Sequence, residues 1–96
     1  MRYEDVAVQI RAHRETTRRL GVSALYVFGS VARGDAEDCS DVDILVEFEG
    51  APSYNQYMDL KFLLEDSLGC SVDLVTRAAL KPRLRAAIEK EARLVA

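Results

Sequence analysis

Between residues 41 and 48 the side chains alternate with a period of two. Asp41, Asp43 and Leu45 share one parity, and Val42, Ile44 and Val46 share the other. In an extended chain successive side chains point to opposite faces. The segment therefore reads as a strand with one apolar face and a second face that opens on two carboxylates. An apolar sheet face has to be covered by another layer, so the rest of the chain must supply helices to pack on it. Two further segments read as strands. Residues 24–28 form a short β-rich run closed abruptly by Gly29-Ser30, and residues 70–75 set Ser71, Asp73 and Val75 against Val72 and Leu74.

The helices announce themselves by period and punctuation. Residues 3–20 place Val6, Ile10, Thr17 and Leu20 on one stripe, with Gly21 as the stop. Residues 30–33 suit a turn or short helix leading into a polar loop over 34–40. Ser53 is the expected N-cap of a second long helix whose stripe is Tyr57, Leu60, Leu64 and Leu68, with Leu63 beside it and Gly69 as its stop. Thr76 is the expected cap of a basic helical region in which Pro82 marks a break or a fresh start. Residues 94–96 can add a short edge strand. The order α-β-(short α)-β-α-β-α, with a final β, predicts an α/β (α+β) domain: one small mixed sheet flanked by helices, a single unit over residues 1–96.

Charge is unevenly distributed. Residues 35–49 hold seven acids and no Lys or Arg, whereas residues 77–93 hold six bases and two acids, within a net charge of −3. An acidic block at a site suits a cation-loaded pocket, and a basic helix suits an acidic partner or simply a solvated face. The overall acidity offers no groove for nucleic acid. The apolar runs are too short to span a bilayer and the N-terminus lacks a secretory pattern, so the expected location is cytoplasmic. Cys39 and Cys70 lack metal-ligand spacing, both from each other and from His13, and are expected to be free thiols.

The chemistry-bearing pattern is Gly29-Ser30, ten intervening residues, then Asp41-Val42-Asp43. Gly29 permits a sharp turn after a strand and close approach of a phosphate. Ser30 opens a helical turn whose N–H groups and hydroxyl can hold phosphate oxygens. Asp41 and Asp43 project from one face roughly 7 Å apart at Cα, a spacing from which both can grip Mg²⁺. Asp73, between Val72 and Leu74, is the candidate third ligand, since a carboxylate there is costly unless paired or metal-bound. Three converging carboxylates raise one another's pKa, and divalent metal removes that conflict. Four fixed residues at ordinary frequencies coincide about once in a thousand chains of this length. Arg33 reads as a phosphate or partner contact near the pocket, or equally as a surface charge.

The stretch 28–35, the run 40–46 and the later Val72-Asp73-Leu74-Val75 together resemble the minimal nucleotidyltransferases of the DNA polymerase beta superfamily, and the likeness extends over nearly the whole chain. That resemblance implies a polymerase-beta-like nucleotidyltransferase fold and AMP transfer from ATP onto a tyrosine of a HEPN-domain toxin, for which the nucleotidyltransferase serves as antitoxin. It implies Gly29, Ser30, Arg33 and Ser40 as nucleotide contacts. It also implies Asp41, Asp43 and Asp73 as catalytic ligands of Mg²⁺, with two ions expected. The implied partners are ATP and the HEPN toxin, with no nucleic acid and no membrane, in a homo-oligomer or a hetero-oligomer with the toxin. The alternative is an antitoxin that neutralises by binding alone. Transfer to a small molecule is disfavoured, because 96 residues leave no space for an added substrate-binding domain.

Overall fold

The computed structural model describes residues 2–34 and 41–96. The first helix arrives in two pieces, α1 (Tyr3–Ala12) and α2 (Arg14–Arg19). They are separated at His13, whose backbone leaves the helical range at φ −107°, ψ 20°. The stripe explains the break: three and four residues past Ile10 the chain offers His13 and Arg14, so apolar packing lapses until Thr17. Thr17 is buried and satisfies its hydroxyl by donating to the Arg14 carbonyl at 2.9 Å.

The chain continues through β1 (Val22–Phe28), α3 (Gly29–Arg33), β2 (Val42–Phe48), α4 (Tyr54–Leu68) and β3 (Val72–Thr76). After a single 3₁₀ turn (Arg77–Ala79) come α5 (Pro82–Glu91) and β4 (Arg93–Leu94). At the head of α4, Ser53 Oγ accepts from the Gln56 amide at 3.1 Å while Gln56 Oε1 accepts from the Ser53 amide at 2.8 Å, a reciprocal capping box. Gly69, at φ 67°, ends that helix. The expectation for Thr76 needs correction. It stands at the N-cap position of the 3₁₀ turn and its side chain makes no capping bond, and the basic helix starts afresh at Pro82 instead. Proline suits that first turn, where its missing N–H costs nothing.

The sheet runs in the order β3-β2-β1-β4. β1 is antiparallel to both β2 and β4, and β2 is parallel to β3. A parallel pair cannot be joined by a tight turn, so α4 provides the crossover. Val27, Ile44, Val46 and Leu74 face α1 and α4, packing against Val6, Ile10, Leu60 and Leu64 in the main core. On the opposite face a smaller cluster of Phe28, Leu45 and Leu80 receives Tyr26, Val75 and Ile88, the last from α5. The outer edge of β3 is closed by side chains of α4: Glu65 Oε2 accepts from the Val72 amide at 3.1 Å, and the Tyr57 hydroxyl donates to the Leu74 carbonyl. Occupied edge groups cannot template pairing with another chain.

Candidate active site

The smaller-core face carries the candidate site at one end. Strand β1 ends at Phe28, which lies opposite Asp43 in the antiparallel ladder. The next residue, Gly29, has φ +71°, and a Cβ added to it would fall 2.1 Å from Asp43 Oδ2. Glycine is thus required twice over, by the left-handed turn and by the carboxylate resting against it. From that corner α3 runs to Arg33, anchored by buried Val31, and closes at Gly34 with φ 81°.

Across the parallel pair, Asp43 is the direct register partner of Asp73. Neighbouring strands lie about 4.8 Å apart, so the two side chains share one face as close neighbours. Asp41 stands two residues before Asp43, exposed, just ahead of β2. Asp43 is half-buried, and its pKa is raised above the ordinary aspartate value. Burial is the main cause, followed by the charges of Asp73 and Asp41; Arg33 opposes them and Glu91 adds to them. Asp73 itself is exposed on the edge strand, so the cost of burying a lone carboxylate does not apply to it. Its registration with Asp43 is what ties it to the site.

Among the described residues no three acidic, cysteine or histidine side chains already form a cage for an ion. An open set of carboxylates still fits Mg²⁺, which keeps several waters and takes substrate phosphates as ligands. The repulsion that, after burial, helps lift the Asp43 pKa is the kind a divalent cation relieves. A carboxylate pair beside a glycine corner, with Arg33 close by, has the chemistry to hold a divalent cation together with an anionic ligand.

Residues 10–95 match the nucleotidyltransferase domain family. The chain belongs to that family. This nucleotidyltransferase is 42% identical over 89 residues to the protein adenylyltransferase MntA of Thermococcus cleftensis, covering 92% of this chain and 90% of that one. A solved structure provisionally described as a minimal nucleotidyltransferase is 41% identical, with a TM-score of 0.77 over 97% of this chain and 95% of the other. A toxin-antitoxin structure with AMP-PNP shares the fold at TM-score 0.73 and 20% identity, over all of this chain and 73% of that one.

Of the residues singled out in the sequence, the fold of the nucleotidyltransferase brings Gly29, Asp43 and Asp73 together, with Asp41 close enough to act on Asp43. Ser30 follows Gly29 in α3, and Arg33 sits on the last turn. Ser40 lies outside the described residues, as does Cys39. Cys70 is a free thiol whose pKa is pushed up, chiefly by burial. One residue of this corner went unnoticed in the sequence. Glu91, at the end of α5, accepts the Gly29 amide at 2.8 Å and pairs with Arg33 at 3.3 Å. Its only trace was an acid inside a basic segment. Because Glu91 engages that amide, Gly29 contributes shape and clearance at the corner rather than a donor.

Proposed function

We propose that this nucleotidyltransferase moves AMP from Mg-bound ATP onto a tyrosine of a HEPN-domain toxin and thereby acts as its antitoxin. The observation that carries the reading is the registration of Asp43 with Asp73, with the Asp43 carboxylate resting against the Gly29 corner. The acceptor class comes from relatives: the Thermococcus protein is named a protein adenylyltransferase. A fold neighbour is the MNT antitoxin bound to a tri-AMPylated Shewanella oneidensis HEPN toxin.

In the reaction an acceptor hydroxyl oxygen bonds to the α-phosphorus as the bond to the bridging oxygen breaks. Pyrophosphate leaves with that electron pair, and the hydroxyl proton passes to solvent. Asp41, Asp43 and Asp73 would hold Mg²⁺, which supplies charge neutralisation at the α-phosphate and the leaving pyrophosphate. Ser30 and Arg33 orient the phosphate chain from α3, and Ser40 is assigned to the nucleotide on the resemblance alone. Gly29 keeps the corner open for the Asp43 carboxylate. Positioning and charge stabilisation supply most of the rate, so no dedicated general base is required.

The test is intact-mass analysis of the protein with a HEPN-domain protein as acceptor, after addition of ATP and Mg²⁺. The expected result is a gain of about 329 Da per transferred AMP on the partner, lost in Asp43→Ala. A stable complex with no mass change would point to an antitoxin that works by occupancy alone.

A further inference from the structure

Glu91 is 62 residues from Gly29 in the chain, yet its Oε1 lies 2.8 Å from the Gly29 amide nitrogen. The same oxygen accepts from Arg33 Nη1 at 3.3 Å, and Oε2 lies 3.3 Å from that nitrogen as well. One carboxylate therefore bridges the backbone of the corner and the guanidinium beside it. The amide is partly buried at a left-handed turn, where an unpaired N–H would be costly. An ionised acceptor makes that bond stronger than a neutral one would.

The placement has a cost, because Glu91 adds negative charge beside Asp43. A brace that served stability alone could use a neutral acceptor and avoid the repulsion. What the carboxylate adds over an amide is its grip on Arg33. That arginine is half-exposed on the last turn of a five-residue helix, and a carboxylate that holds a long side chain there narrows the rotamers it samples. Holding Nη1 restricts the planar guanidinium and leaves its other N–H groups for further contacts.

We propose that Glu91 is a positioning residue of the nucleotide site: it holds the Gly29 corner and the Arg33 guanidinium in place for the triphosphate. The proposal rests on the reading above that Arg33 faces the phosphates. It also assigns α5 a part in nucleotide binding, through a residue that touches neither metal nor nucleotide.

The test is calorimetric binding of AMP-PNP with Mg²⁺ to the full chain and to Glu91→Ala, Glu91→Gln, Arg33→Ala and the Arg33→Ala/Glu91→Ala double variant, with thermal melting of each. Glu91→Ala is expected to weaken binding about tenfold, as one lost charge-assisted contact would, and to lower the melting temperature, since the Gly29 amide loses its acceptor. Glu91→Gln, which can still accept the Gly29 amide, is expected to recover part of the loss. The double variant is expected to lose less than the product of the two single losses, since the residues share the Arg33 contact while Glu91 alone holds the Gly29 amide. The proposal is overturned if Glu91→Ala binds as tightly as the parent, or more tightly, while Arg33→Ala is weakened. It is equally overturned if the two losses multiply. If Arg33→Ala itself binds normally, the assignment of Arg33 to the phosphates falls first, and the role of Glu91 with it. Should Glu91→Ala fail to fold, Glu91→Gln alone and combined with Arg33→Ala gives the same cycle.

Discussion

Asp43 is the residue on which the site's electrostatics converge. It is half-buried, faces Asp73 across the strand pair and feels Asp41, so its carboxyl holds a proton more tightly in the folded protein than in the unfolded chain. The sign follows from linkage. A carboxylate whose folded pKa is raised favours the native state as pH falls through that pKa, and becomes a cost as pH rises above it. Without metal, Asp43→Asn should therefore melt at a higher temperature than the parent at neutral pH. The gap should close on acidification, as the parent's Asp43 takes up its proton. If Asp43 holds Mg²⁺ as proposed, adding Mg²⁺ should reverse the order, because binding to the native state stabilises it. Thermal denaturation across a pH series, with and without Mg²⁺, measures both effects.

At the scale of elements, α4 does more than bridge two parallel strands. Its Tyr57 and Glu65 side chains occupy the carbonyl of Leu74 and the amide of Val72 along the open edge of β3, the strand that carries Asp73. Tyr57→Phe should cost about 1 kcal/mol, the usual net worth of one such bond. It should also speed hydrogen exchange in β3 without altering exchange in β1, as hydrogen-exchange mass spectrometry can show. These edge bonds were not legible in the sequence, where Tyr57 read as one more stripe residue, because a period-of-3.6 pattern reports which face is buried and not what a hydroxyl at its tip will meet. The stripe itself was legible: Leu60, Leu64 and Leu68 are buried as their spacing required. So was the alternation of β2, with Val42, Ile44 and Val46 buried in the main core and Asp43 on the other face. The break at His13 was missed because Thr17 and Leu20 kept the stripe alive on paper past the point where the backbone turned. Glu91 was missed for a deeper reason, since its partners are set by tertiary folding and not by neighbours in the chain.

At the scale of the molecule, the two faces of the sheet are covered unequally. The main core is closed by α1 and α4, whereas α5 contributes no fully buried residue and rests on the other face through Ile88. Two of the six bases of residues 77–93 engage side chains within the fold. Arg77 pairs with Glu47 at 2.7 Å and lies over the Tyr26 ring at 5.2 Å, and Arg93 lies 3.6 Å from the Tyr3 ring centroid. Few buried apolar contacts mean a low opening free energy. Native-state hydrogen exchange should show the amides of α5 opening well below the global free energy of unfolding, while those of β1 and β2 exchange only with global unfolding. If Glu91 anchors the corner, Mg²⁺ with AMP-PNP should slow exchange in α5 selectively.

The parallel β2–β3 step also has a consequence in time. Asp43 and Asp73 become neighbours only after the intervening α4 has docked and the strands on either side of it have found register. Contacts so far apart in sequence form late, because loop closure precedes their reward. A partly folded chain therefore presents these carboxylates scattered, and the metal site proposed for them is assembled only as the domain completes its crossover.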